Sequence, residues 1–229
     1  MCSSDLEPVV SEIKLEVMST PTGMPIYIDE QVTGFVTPYE MSLSGSHFVS
    51  VAGTGYATPL PGGWQLDIAN DTQIEITLEN GTDGVHVGEV ATDFTLPLYG
   101  ADPGENMTLH QFRGRVVLLN FWFVDCPNCI EELPGLNTVY NEFRSEGFRF
   151  LTVDEWGNAD IDNLDQFFAD NPEYQFPVML DQNGSVTTLY GLSSAPWNLL
   201  IDKTGVIRYR EQGLEEDQLR GWVEELISE

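Results

Sequence analysis

The polar and apolar positions of the chain fall into two regimes. Between about residues 11 and 80 the apolar positions come in short runs, alternating or β-branched: EIKLEV, MPIYID, HFVSVAG, WQLDI and QIEITLE. Such runs, bounded by turn residues, mark half-buried strands. Pro, Gly, Ser, Thr and Asn fill the gaps, as in STPTG, SLSGS, TPLPGG and ENGTDG, and no helical period is visible. The pattern predicts an all-β module, a small sandwich, over residues 11–82. Residues 1–10 read as a flexible N-terminal segment, and the NGTDG run at 80–84 as a linker.

From about residue 88 onward, strands and helices alternate. VVLLNFWF (116–123) is apolar almost throughout, the pattern of a central strand covered on both faces. A helix is predicted from Pro127 to Glu146, then a strand at FRFLTVD and a short helix at NLDQFFAD with Asp160 or Asp162 as its cap. Strands follow at FPVML, WNLLID and GVIRYREQG. EEDQLRGWVEELI closes the chain as an amphipathic helix with Leu219, Trp222, Val223 and Leu226 on one face. This order predicts an α/β domain over 88–229, a mixed sheet flanked by helices, and so two folded units.

Composition narrows the function classes. No apolar run reaches the roughly 18 residues of a membrane span. The 37 acids and 9 bases leave a net charge of −28, spread over both regimes: −11 for residues 1–87 and −17 for 88–229. Such a surface repels nucleic-acid phosphates and anionic lipid head groups. It reads as a solubility device, with a weaker bias toward cationic partners.

The chemistry lies in FWFVDCPNCIEELPGL (121–136), where Cys126 and Cys129 sit three apart at the predicted strand-to-helix junction. The first cysteine then lies at the open helix N-terminus, where unpaired N–H groups and the helix dipole favour a thiolate. Thiols in such places titrate at about 3.5–7.5 instead of about 8.5. The second lies about one turn along, close enough for a disulfide. Pro127 suits the first helical position, because its missing N–H would have had no partner. A structural zinc site wants four ligands, but no other cysteine lies nearby and His47, His86 and His110 are scattered before the motif. A c-type haem wants His where Ile130 stands, and copper delivery wants a downstream His that is absent. A buried inert pair stays open as an alternative. The reading is a redox pair with no metal and no cofactor.

Beyond the pair, GEVATDFTLPLYG, TLHQFRGRVVLLNFWFVDCPNCIEELPGL and FPVMLD…LYGLSSAPWNLLIDKTGVI stand in an order that resembles thioredoxin-like proteins of the TlpA/ResA type. The resemblance covers residues 88–229. It implies a thioredoxin-like fold and an extracytoplasmic thiol–disulfide oxidoreductase, often membrane-tethered. It implies Cys126 as the exposed nucleophile, Cys129 as the resolving thiol and Glu132 as the neighbouring acid. Pro196 is implied as the cis-proline facing the disulfide, with Ala195 offering backbone groups to a substrate strand. Pro134 matches the proline that bends the active-site helix. Trp122, Asp125 and Trp197 complete the expected substrate-binding set. A bland reading of Glu132 is an exposed helix-face carboxylate. Two positions depart from the family: Asp125 stands where Trp is common, and Trp197–Asn198 where small hydroxyl residues are usual. A carboxylate beside a thiol opposes thiolate formation. A Trp at 197 would cover the pair or grip a partner, or simply pack.

The earlier stretch STPTGMPIYIDEQVTGFVTPYEMSLSGSHFVSVAGTGY resembles the PEGA domain, a small β-sandwich of envelope proteins, with Glu30 in place of the usual Gly. That likeness implies a spacer or docking role. CSSDLEP resembles the start of a mature lipoprotein, which would make Cys2 a lipidation site; the plain alternative is a thiol on a frayed terminus. The implied partners are protein thiols or disulfides and a thioredoxin-like redox partner, with no nucleic acid. The competing reading is an envelope adaptor of little or no turnover. A peroxidase is disfavoured because Phe123 occupies the position where that chemistry wants Thr.

Overall fold

The computed structural model describes residues 12–154 and 161–229. Cys2, Asp160 and the side chain of Asp162 lie outside the described residues. The N-terminal module is built from two sheets. Strands β1 (Lys14–Thr20), β2 (Pro25–Ile28), β3 (Gln31–Val36), β4 (Tyr39–Ser42), β5 (Gly45–Val51), β6 (Trp64–Ile68) and β7 (Thr72–Thr77) carry it. One sheet has the order β4-β1-β7 and the other β3-β2-β5-β6. Alternation places Leu15, Val17 and Ile76 of the first sheet against Ile26, Val49, Val51 and Ile68 of the second in one core. The sequence pattern missed β3 and β4. β3 is an edge strand whose side chains are exposed except for the half-buried Thr33, so no face is buried and no alternation arises.

The C-terminal domain is a five-stranded mixed sheet between two layers. Its elements are β8 (Val116–Trp122), α1 (Pro127–Phe143), β9 (Phe148–Asp154), α2 (Ile161–Asp170), β10 (Val178–Leu180), α3 (Ser185–Leu189), β11 (Trp197–Ile201), β12 (Ile207–Glu211) and α4 (Glu216–Ser228). The order is β10-β9-β8-β11-β12, with β8 parallel to β9 and antiparallel to β11. Every residue of β8 is buried because both faces are covered. Val116, Leu118 and Trp122 join the core with α1 and α4, while Val117, Leu119 and Phe121 join the opposite core. In α4 the expected face holds: Leu219, Val223 and Leu226 are fully buried, and Trp222 stacks on Tyr209 at 4.0 Å. The short α3 was not foreseen; SVTTL is a single turn without a hydrophobic period.

The NGTDG run is not a free tether. Gly81 N donates to Gly55 O at 2.8 Å, and Asp83–Gly84 pairs with Val90–Ala91 in a short parallel ladder. Backbone groups that find partners hold the run against both neighbours.

A second tie joins the modules at the β2–β3 turn. Asp29 and Glu30 both adopt left-handed backbone there, with φ 51° and 62°. Asp29 offsets that conformation by accepting from Phe48 N at 2.8 Å and pairing with His47 at 2.6 Å. The turn delivers Glu30 onto the α/β domain. Its carboxylate accepts from Arg115 at 2.6 Å and from Arg149 at 2.5 and 2.8 Å, and its carbonyl accepts from Gln111 at 2.8 Å. Arg115 also lies 3.7 Å over the Phe48 ring. Burial alone would raise the Glu30 carboxyl, but the two guanidiniums hold it below its ordinary value. Glu30→Gly keeps the backbone conformation and removes the carboxylate. The expected cost to docking is about 2–5 kcal/mol, from loss of one partner of a partly buried charge pair. Gel filtration after a proteolytic nick between residues 80 and 90 checks this: the wild-type pieces co-elute at low salt, and those of the variant separate.

Candidate active site

The site forms where β8 leaves the sheet. A strand buried on both faces ends at Trp122, and four residues later the chain enters α1 with Cys126 as its N-cap. Pro127 occupies the first helical position and no acid stands in the first turn, so the positive end of the helix dipole acts on Cys126 unopposed from within that turn. Cys126 and Cys129 are joined by a disulfide, with Cα atoms 5.2 Å apart. Cys126 Sγ also accepts from Cys129 N at 3.2 Å. The expectation of an exposed nucleophile needs correction for this oxidised form: Cys126 is 4% exposed and Cys129 0%. Phe123, Val124, Ile130 and Ala195, all partly buried, pack against the apolar core that holds the pair.

Glu132 is half-buried, one turn after Cys129, and not an exposed helix-face carboxylate. Its Oε1 accepts from Asn120 Nδ2 at 2.9 Å and its Oε2 from Leu214 N at 3.0 Å. Asn198 Nδ2 contacts both oxygens, at 3.2 and 3.1 Å. Burial pushes the carboxyl up to about 7, against the pull of these donors. Asn120 and Asn198 were not singled out as site residues from the sequence. The available signal was Asn120 itself, the one polar side chain in the run VVLLNFWF: a buried carboxamide demands partners.

The Ala195–Pro196 peptide is cis. Ala195, Pro196, Glu131, Glu132 and the 212–215 loop line a groove of about 760 Å³ alongside the first turns of α1. Gln212 Nε2 donates to Ser194 Oγ at 2.8 Å and ties that loop to the cis-proline segment. The structure thus brings Glu132, Ala195 and Pro196 to one groove, which reaches, at Asn128, the helix start that carries Cys126 and Cys129, with Asp125 exposed at the entry to α1. Pro134 lies inside α1 and withholds an N–H from its ladder.

Two expected substrate-binding residues lie elsewhere. Trp122 is fully buried and packs on Phe167 and Phe176 at 5.2 and 6.3 Å. It is a core side chain because β8 is covered on that face, and it offers a substrate no surface. Trp197 alternates with Asn198 along β11 and so points to the other side of the sheet. There it packs on the opposite core, with the Arg210 guanidinium 5.1 Å from its ring. It does not cover the pair. Among the described residues no group of three or more His, Cys, Asp or Glu side chains is placed to hold a metal ion.

Known proteins are similar to this chain in the same two parts. The Redoxin family model matches residues 86–225 and the PEGA domain model residues 12–82. The chain is 30% identical over 139 residues to the thiol-disulfide oxidoreductase ResA of Halalkalibacterium halodurans, an alignment covering 60% of this chain and 75% of that one. The thioredoxin domain of a thiol-disulfide oxidoreductase from Bacteroides vulgatus matches with a TM-score of 0.54 and 27% identity, covering 63% of this chain and 99% of that one. The exposed lipoprotein thioredoxin of Streptococcus pneumoniae matches with a TM-score of 0.50 and 26% identity, covering 59% and 100%. The resemblance and the fold class read from the sequence stand.

The Glu132 carboxyl sets an expected pH dependence. Above about 7 it is ionised, and a negative charge beside the pair opposes the thiolate. In the reduced protein, the rate of Cys126 alkylation against pH should therefore bend near 7. Glu132→Gln should remove the bend and shift the curve down by about one unit. Stability gives a second readout. A carboxyl raised in the folded state contributes stability below its unfolded value, about 4.3, and loses it as pH rises through about 7. Urea unfolding should show Glu132→Gln gaining on the wild type between pH 5 and pH 8.

Proposed function

The chain belongs to the Redoxin family, and on that premise we propose that it is a dithiol–disulfide oxidoreductase acting on protein thiols and disulfides outside the cytoplasm. The observation that carries the proposal is the Cys126–Cys129 disulfide at the N-terminus of α1, beside the cis-Pro196 groove. In the reductive direction the Cys126 thiolate attacks one sulfur of a substrate disulfide. The substrate's other sulfur leaves as a thiolate and a mixed disulfide forms. Cys129 loses its proton and attacks Cys126 Sγ, closing the internal disulfide and releasing the second substrate thiolate. Two electrons pass to the substrate, and a thioredoxin-like partner restores the dithiol. The same steps reversed oxidise a dithiol; relative reduction potentials set the direction.

Position supports the division of roles. Only Cys126 caps the helix, while Cys129 lies a turn inside and fully buried. Glu132 is the acid beside the pair, and Ala195 supplies backbone groups to a substrate segment lying in the groove. Asp125, exposed at the entry, adds charge a substrate would meet. The placement outside the cytoplasm, and with it a tether through a lipidated Cys2, draw on similarity to an exposed lipoprotein thioredoxin. Among the described residues no helix is long and apolar enough to cross a membrane.

The test is dithiothreitol-coupled insulin reduction beside hydrogen peroxide consumption. The wild type should accelerate the first and not the second. Cys126→Ser should abolish turnover; Cys129→Ser should accumulate a mixed disulfide that mass spectrometry places on Cys126. Limiting iodoacetamide on the reduced protein should label Cys126 before Cys129. Preferential labelling of Cys129, or a mixed disulfide on it, would reverse the roles.

A further inference from the structure

Beneath the redox pair lies a polar contact that the chemistry of the two sulfurs does not by itself require. β8 and β11 pair in a register that sets Asn120 opposite Asn198. Both are buried, at 0% and 2% exposure, on the face of the sheet covered by α1. Asn120 Nδ2 donates to Asn198 Oδ1 at 2.9 Å. With its oxygen so engaged, Asn198 turns its amide nitrogen to Glu132 and meets both carboxylate oxygens. Asn120 adds its contact to Oε1, and the Leu214 N–H reaches Oε2 from the loop before α4. Among the described residues every group within hydrogen-bond distance of the carboxylate is therefore a donor. Such a cradle suits an ionised carboxylate, because each partner reaches its oxygens through an N–H.

Resting on the redox reading above, we propose that Asn198, held by Asn120, is a positioning residue of the redox site: it fixes the orientation and charge state of Glu132 and acts through that carboxylate on the cysteine pair. The residue is specific to this chain's departure at 197–198, where small hydroxyl groups are usual. A hydroxyl offers one donor on a shorter arm; the Asn carboxamide spans both carboxylate oxygens and still anchors itself on the neighbouring strand. Trp197, the other half of the departure, faces the opposite core and takes no part.

The titratable groups around Glu132 are few. On its own helix these are the two cysteines and Glu131. At the mouth of α4, Glu215 lines the same groove, and Glu216, paired with Arg220, packs on α1 at Gly135 one turn further along. The strands present the two carboxamides. No Lys or Arg lines the groove, so hydrogen-bond donors, rather than a counter-ion, hold the carboxylate charge.

The experiment reads Glu132 directly and then through the thiols. In the oxidised protein, where the cysteines do not titrate, ¹³C NMR of the Glu132 carboxyl follows its ionisation. Asn198→Ala removes one donor group that serves both oxygens, and the midpoint should rise by about one unit. Asn198→Asp, which keeps the size and puts a like charge there, should raise it further. In the reduced protein at pH 7, less charge on Glu132 should speed Cys126 alkylation by roughly two- to threefold in Asn198→Ala. In the Glu132→Gln background the same change should have no effect on the alkylation profile, because positioning through Glu132 makes the pair non-additive. The proposal is overturned by an unmoved Glu132 midpoint in folded Asn198→Asp, whatever the Ala variant does. It is equally overturned by an alkylation shift of the same size with and without Glu132. Insulin reduction by the wild type separates the premises: if that fails while the carboxyl midpoint shifts as expected, the redox reading falls and the Asn198–Glu132 linkage stands.

Discussion

The organising constraint is the burial of β8 on both faces. A strand with no solvent on either side can satisfy its polar groups only from within the protein, and each one left over is costly. Its backbone is answered by β9 and β11. Of its polar side-chain atoms, the Asn120 amide nitrogen is answered by Glu132 of α1 and Asn198 of β11, while Asn120 Oδ1 and the Trp122 indole N–H are buried without a partner. That requirement fixes how α1 lies on the sheet, because Glu132 has to face inward at a definite point. With Glu132 placed, the cysteines one and two turns earlier lie over the end of the strand, and the loop before α4 is drawn in through Leu214. The redox pair is therefore positioned by a polar contact as well as by the apolar core around it.

Much of this was legible in the sequence wherever a pattern reflects burial. The apolar run 116–123, the Cys-x-x-Cys after it and the amphipathic closing helix each carry their own signal within a dozen residues. Where burial is absent the signal fails: β3 is exposed along nearly its whole length and reads as loop. Contacts between distant residues fail for another reason. Glu30 was visible as a departure from the family's Gly, but its arginines lie 85 and 119 residues away, and no local pattern links them. Trp122 and Trp197 show the limit of carrying a residue type to a role. Both are aromatic neighbours of site residues in sequence, and alternation along a strand sends Trp197 to the far side of the sheet while Trp122 goes into the core.

The β module is thus more than a bead on a string. Its β2–β3 turn accepts the cost of left-handed backbone at two non-glycine positions and places a carboxylate between two guanidiniums. Arg115 and Arg149 are two of only nine cations in a chain of 37 acids. Committing them to one inter-module carboxylate, and not to the surrounding acidic surface, makes that contact selective. A guanidinium fork with an aromatic ring beneath it is directional in a way a scattered surface charge is not.

The place of that contact has an electrostatic consequence. Arg115 and Arg149 stand at the starting ends of β8 and β9, whereas the disulfide follows the finishing end of β8. Seven residues of strand separate the two, about 20 Å at the usual rise. At that distance two unit charges interact by only about 0.8 kcal/mol at an effective dielectric constant of about 20, roughly fivefold less than at about 4 Å. The thiols are in that sense insulated from the ionic bond that joins the modules. Substitutions at the Glu30 turn can alter where the redox pole is held, and how stiffly, without retuning its sulfurs, and changes around Glu132 can retune the sulfurs without loosening the hold.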